Sequence, residues 1–104
     1  NINFKVKDLS KFPEVRRDLA LIIHKKIKYS EIEKLAYKIA HPLLKNVSLF
    51  DVYEGENIEK DYKSYAIRFI LESEEKTLTD EEIETTINKL IQAFEINFNA
   101  QLRK

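Results

Sequence analysis

The segment 63–72, KSYAIRFILE, places the strongest constraint on the fold. Its large apolar side chains recur at every second position, and small or polar side chains lie between them. Successive side chains of a β-strand point to opposite faces of the sheet, so this pattern is typical of a strand with one buried face. The buried face is predicted to carry Tyr65, Ile67, Phe69 and Leu71, and the opposite face Ser64, Ala66 and Arg68.

Three further segments have the composition of strands. Residues 16–24, RRDLALIIH, and 46–54, NVSLFDVYE, are rich in β-branched, leucine and aromatic residues. A charged stretch from Glu54 to Tyr62, with the only glycine of the chain, is predicted to be a hairpin loop. A short last strand is predicted over 100–103, after asparagines that tolerate left-handed turns.

Two helices are predicted between these strands. Ser30 precedes Glu33 by three residues in a capping-box arrangement, and apolar residues at helical spacing follow as far as Ala40. Thr79 and Glu82 repeat that arrangement before a second amphipathic segment. Each helix is therefore expected to bury one side.

The order strand, helix, strand, strand, helix, strand predicts an α+β fold of the ferredoxin-like βαββαβ type. Right-handed crossovers place both helices on one face of a four-stranded antiparallel sheet, and the other face stays open. Strict alternation along the three long strands predicts which side chains lie on the open face. These are Asp18, Ala20, Ile22, Leu49, Asp51, Tyr53, Ser64, Ala66 and Arg68.

The composition favours one soluble domain in a reducing compartment. With 104 residues the chain can bury one modest core, and it has no cysteine for a disulfide or a thiolate metal site. No apolar run approaches the length needed to cross a bilayer, so no membrane contact is expected. Residues 1–11 are predicted to be a linker or docking segment, and 12–104 the domain.

Charge is balanced overall but not along the chain. The formal net charge is zero, whereas residues 1–45 contain 11 Lys or Arg against 5 Asp or Glu, and residues 46–104 contain 7 against 13. No global attraction to nucleic acid is expected, although one face of the folded domain could be basic.

The residues favour a binding module over an enzyme. The chain has no phosphate-binding glycine loop or nucleophile elbow, and its two histidines make a poor metal set. On the open face, Tyr53 could stack on a base and Asp51 could accept hydrogen bonds from an unpaired guanine. Ser64 could add a hydrogen bond, and Arg68 could hold a phosphate or stack.

Two other hypotheses remain open at this point. The sheet could dock against another protein domain, since tyrosine is common in strands and a polar sheet face is ordinary. An acylphosphatase-like enzyme shares the fold class, but its phosphate-binding loop is missing here.

Three strings, in this order and at this spacing, resemble the family called the ferredoxin-fold anticodon-binding domain. They are FPEVRRDLAL at 12–21, LFDVYEG at 49–55 followed by KSYA at 63–66, and TLTDEEI at 77–83, and the match closes with LR at 102–103. The resemblance covers nearly the whole chain. Two departures are Asn99, where the family often has glycine, and the bulky hairpin segment NIEKDYK.

The resemblance implies the C-terminal domain of a bacterial phenylalanyl-tRNA synthetase beta subunit. That cytoplasmic enzyme is an α2β2 tetramer, although a single-chain organellar parent is also possible. It uses ATP and magnesium, and catalysis resides in the alpha subunit, so neither catalytic residues nor a cofactor are expected in this chain.

The resemblance also implies that the domain binds the anticodon stem-loop of tRNA(Phe). The guanine-contacting positions of the family match Asp51, Tyr53 and Ser64. In the string FPEVRRD at 12–18, Arg16 and Arg17 are candidates for phosphate contacts. An ion pair between Arg17 and Asp18 explains that string equally well.

Overall fold

The computed structural model describes residues 12–103, and its centre is a pair of ten-residue strands. Strand β1, Val15–His24, runs antiparallel to β3, Tyr62–Leu71, without a break in register. Strand β2, Leu44–Tyr53, pairs with the other edge of β3, and the short β4, Gln101–Leu102, pairs with β1. The order across the sheet is therefore β2-β3-β1-β4.

Helices α1, Tyr29–Ala40, and α2, Asp80–Phe98, cover one face of this sheet. The rings of Phe69 on β3 and Phe94 on α2 stack with their centroids 6.2 Å apart, and both side chains are fully buried. The other fully buried large side chains are Leu21, Ile23, Ile32, Ile67, Leu71 and Leu90. The predicted ferredoxin-like α+β fold is confirmed.

Helix α2 begins and ends as its sequence predicts. The Thr79 hydroxyl accepts a hydrogen bond from the Glu82 amide at 3.1 Å, and the Glu82 carboxylate accepts one from the Thr79 amide at 2.9 Å. The hydrogen bond from Lys76, together with that of the Thr79 amide, lowers the pKa of Glu82. At the other end Asn99 has φ 54°, a left-handed conformation that asparagine tolerates, so it can take the place of glycine.

Helix α1 begins two residues earlier than the capping pattern predicts. Its N-cap is Lys28, whose backbone is extended and whose amide donates to the Glu31 carboxylate at 3.0 Å. The predicted box between Ser30 and Glu33 is therefore wrong. Ser30 already lies in the first turn with helical backbone, and a capping side chain needs an extended backbone at its own position.

A β-bulge in β2 breaks the alternation that the sequence suggests. Leu49 lies opposite Ile67, and the next pair along the strand is Asp51 with Ala66, so Phe50 is an extra residue. Because directly opposed residues share a face, Leu49 points to the helices and packs on the core. The prediction that Leu49 lies on the open face is wrong, whereas Asp51 and Tyr53 lie there as predicted.

Two further predictions concern the N-terminal segment and contact with a membrane. The predicted linker or docking segment, 1–11, falls outside the described residues. In the part of the chain that the structure describes, neither helix combines the length with the apolar character required to span a membrane.

The bulge can be tested by truncating two neighbouring side chains. Leu49→Ala should lower the free energy of unfolding by about 2 kcal/mol or more, because it leaves a void against the core. Phe50→Ala removes a larger side chain but one that is 48% exposed, and should cost less than about 1 kcal/mol. Urea unfolding of both variants measures the difference. The reverse order of costs would contradict the bulge assignment.

Candidate nucleic-acid interface

The open face of the sheet is organised in transverse rows, because residues opposite each other in antiparallel strands share a face. The Tyr53 row crosses all four strands. It consists of Tyr53, Ser64, Ile22 and Gln101. The Asp51 row lies next to it. It consists of Asp51, Ala66, Ala20 and Arg103, whose amide continues the pairing of β4 by donating to the Ala20 carbonyl at 2.7 Å.

Three of the four side chains in the middle of these two rows are small, and the fourth is Ile22. Ala20, Ala66 and Ser64 lie on the two central strands, and larger side chains rise from the outer strands β2 and β4. Neighbouring strands are about 4.8 Å apart, so β2 and β4 are separated by about 14 Å. We infer from these sizes a strip of low side chains along the sheet, called here the central trough, with these three residues as its floor and with Tyr53 and Arg103 extending over it.

Tyr53 forms one wall of the central trough and is held from two directions. Its hydroxyl donates to the Glu56 carbonyl at 3.1 Å, and the Arg103 guanidinium lies 4.9 Å from the ring centroid. Gly55 has φ 132°, and a Cβ there would come within 3.4 Å of the Tyr53 hydroxyl oxygen. That distance is an ordinary contact, so it is the positive φ that favours glycine at this position. The side chain of Tyr53 is still 37% exposed.

Asp51 and Ser64 differ in how accessible they are. Asp51 follows the bulge and is exposed at the wall of the central trough. Ser64 lies beside Tyr53 as predicted, but it is only 3% exposed and belongs to the floor. Of these two polar groups, Asp51 is the one presented to solvent.

Arg68 lies in a third row, with Ser48 on β2 and Asp18 on β1, and its charge is already partnered. Its Nε and Nη2 atoms donate to the two carboxylate oxygens of Asp18 at 3.1 and 3.4 Å. Its guanidinium also lies 4.5 Å from the centre of the Phe50 ring. Asp18 thus pairs with Arg68 across the strands, and the alternative pair with Arg17 is not formed.

Arg17 is separated from the other predicted site residues. It lies opposite the buried Phe69, which places it on the helix-bearing face of the sheet. Its Nη1 atom donates to the Arg16 carbonyl at 2.9 Å. The structure therefore brings together Asp51, Tyr53, Ser64 and Arg68, and leaves Arg17 on the opposite side.

Three residues of the open face were not predicted as part of the site. Arg103 and Gln101 reach it through β4, and Phe50 reaches it through the bulge. The string LR at 102–103 includes Arg103, but the sequence does not show that Arg103 contacts Tyr53. That contact depends on the strand order, which places β4 beside β1.

Two further features of the described residues concern metal ligands and pockets. Within 12–103, no group of three or more histidine or acidic side chains could hold a metal ion. A pocket of about 70 Å³ lies at the end of the open face, between the hairpin loop and the Asn99 turn. Its lining residues are Ile22, Glu59, Tyr62, Asn99 and Gln101.

Comparison with known proteins shows which family the chain is similar to. The family model described as the ferredoxin-fold anticodon binding domain matches residues 10–103. The phenylalanine–tRNA ligase beta subunit of Bacteroides fragilis is 48% identical over 99% of this chain and 13% of its own length. The beta subunits from Pseudomonas fluorescens and Bacillus cereus are 41% and 40% identical over 96% and 92% of the chain.

The chain thus spans only about an eighth of the length of these relatives. Within that span the match extends from before β1 to the end of β4, and so includes every element of the sheet and both helices. The resemblance carried by the three strings is confirmed: the chain belongs to the ferredoxin-fold anticodon-binding domain family.

Proposed function

We propose that this chain binds the anticodon stem-loop of tRNA(Phe) through the open face of its sheet, as the C-terminal domain of a phenylalanyl-tRNA synthetase beta subunit. Family membership and the identity of the relatives as phenylalanine–tRNA ligase beta subunits support the proposal. The parent would attach phenylalanine to tRNA with ATP and magnesium, together with its alpha subunit and the rest of the beta subunit in an α2β2 tetramer. In that enzyme this domain has a binding role, and catalysis takes place elsewhere.

The observation that carries the proposal is the placement of Tyr53 and Asp51 along one wall of the central trough. The two residues are two positions apart on β2, which separates them by about 7 Å along the strand. That distance matches the dimensions of a single base. A base packed against the exposed part of the Tyr53 ring therefore has its edge within reach of the Asp51 carboxylate.

The chemistry of Asp51 suits guanine. A carboxylate only accepts hydrogen bonds, and the Watson–Crick edge of guanine offers two donors, N1–H and the exocyclic amino group. Adenine has an acceptor at N1 instead. Guanine at the first anticodon position would thus be preferred over adenine.

An NMR titration tests the proposal directly. The 104-residue chain is titrated with an RNA hairpin that carries the phenylalanine anticodon, and its amide shifts are followed. Shifts concentrated at Asp51, Tyr53 and Ser64, with the core residue Ile87 unchanged, are the expected result. The absence of shifts on the open face would refute RNA binding.

One observation favours the alternative of a protein-docking face. Phe50 is 48% exposed on the open face, next to Arg68. If the RNA hairpin causes no amide shifts and sedimentation shows a concentration-dependent mass, the open face is an interface between protein chains or domains.

Removal of the Tyr53 ring should weaken hairpin binding. Stacking of one base is worth about 1–3 kcal/mol, so Tyr53→Ala should raise the Kd about 5- to 150-fold. Tyr37→Ala is the matched control, because Tyr37 is equally exposed, at 37%, but lies on α1. Fluorescence anisotropy with a labelled hairpin gives both values. Equal effects of the two substitutions would refute the stacking role.

Replacement of the Asp51 carboxylate should erode base preference. Asparagine keeps one acceptor but adds a donor that can bind N1 of adenine, so Asp51→Asn should reduce the preference for guanine over adenine roughly tenfold. The measurement compares two hairpins that differ only at the first anticodon base. Asp80→Asn, at the start of α2, is the control for the charge change. An equal loss of affinity for both hairpins would show that Asp51 does not read the base.

A further inference from the structure

We propose that Arg103 belongs to the RNA-binding site, where it holds the phosphodiester next to the base that packs on Tyr53. This inference rests on the proposed function and deepens it. It names a contact that neither the candidate residues of the sequence nor the family strings assign.

The first support is the position of Arg103. Its amide donates to the Ala20 carbonyl at 2.7 Å, so its side chain rises from the outer strand opposite to the one that carries Asp51. The guanidinium nevertheless lies 4.9 Å from the Tyr53 ring centroid. Arg103 and Tyr53 therefore reach toward each other over the floor of the central trough.

The second support is the hydrogen-bonding capacity that a guanidinium keeps when it lies over an aromatic ring. A guanidinium packed over an aromatic face uses its own flat face, and its N–H groups point outward in the plane. Those N–H groups match the oxygens of a phosphate in a bidentate arrangement. Arg103 can thus contact Tyr53 and a phosphodiester at the same time.

The third support is the state of the other basic side chains considered for this site. Arg68 is paired with both carboxylate oxygens of Asp18, and Arg17 lies on the helix-bearing face. Arg16 lies opposite Ile70, beyond the row of Arg68 and farther from Tyr53. A domain with zero net charge must offer its positive charge locally, and Arg103 is the cation that directly contacts the Tyr53 ring.

The test compares three variants of the 104-residue chain by hairpin binding over a range of salt concentrations. Arg103→Gln should raise the Kd roughly tenfold and reduce the slope of log K against log salt by about 0.7, the value for one phosphate contact on a single strand. Arg103→Lys should keep the slope, because lysine retains the charge, but bind more weakly than arginine because it lacks the planar fork. Arg17→Gln makes the same change of charge on the opposite face, and should alter the Kd by less than about twofold.

A second comparison separates a phosphate contact from a role in holding the Tyr53 ring. Arg103→Gln is introduced into the Tyr53→Leu background, where there is no ring to hold. A further loss of affinity and of salt slope is expected. No further change in either quantity would show that Arg103 acts only by positioning Tyr53, and would overturn the inference.

The remaining outcomes distinguish this inference from the function on which it rests. If the unsubstituted chain does not bind the hairpin, the proposed function fails and the inference fails with it. If the chain binds and Tyr53→Ala weakens binding, but Arg103→Gln matches the unsubstituted chain in Kd and slope, only the inference fails. Amide spectra of each variant verify that it is folded.

Discussion

The antiparallel pairing of β1 with β3 is the interaction on which the rest of the structure depends. The ten residues of each strand stay in register from Val15 opposite Leu71 to His24 opposite Tyr62. This one ladder sorts the central side chains into a helix-bearing face, where the core forms, and an open face. The floor of the central trough consists of small side chains because Ala20 and Ala66 are opposed in this register.

The functional side chains of the proposed site come from the two edges of the sheet and not from β1 and β3. Strand β2 carries the aromatic ring and the carboxylate of the proposed site, and Arg103, directly after β4, carries the guanidinium. The bulge at Phe50 allows β2 to contribute Leu49 to the core and Asp51 to the open face, although the two are only two residues apart. A regular strand would have to place both on the same side.

Local charge pairing explains how a neutral domain could serve as a nucleic-acid interface. Arg68 and Asp18 neutralise each other in the third row, so that region contributes little net field. The positive charge near Tyr53 comes from Arg103, at the far end of the chain in sequence. Net charge and its distribution along the sequence could not indicate this, because the relevant quantity is the charge within a few ångströms of the binding surface.

The sequence by itself determined the order of elements, the fold class and the family. The alternation in β3, the cap at Thr79 and the tolerance of Asn99 for a left-handed backbone are local properties, set by nearest neighbours and by side-chain chemistry. For the same reason Asp51, Tyr53 and Ser64 could be placed together on one face from their spacing and motifs. The start that the sequence predicts for α1 is two residues too late. The Glu31 carboxylate accepts a hydrogen bond from the Lys28 amide, so the cap is formed by these two residues and not by Ser30 and Glu33.

Only the tertiary structure decided which side chains near Tyr53 are available. Whether Leu49 packs on the core depends on a bulge against β3, and whether Arg68 is free depends on Asp18, fifty residues away. The burial of Ser64 and the contact of Arg103 with Tyr53 likewise depend on neighbours across the sheet. Such contacts join residues that are distant in sequence, and local periodicity carries no information about them.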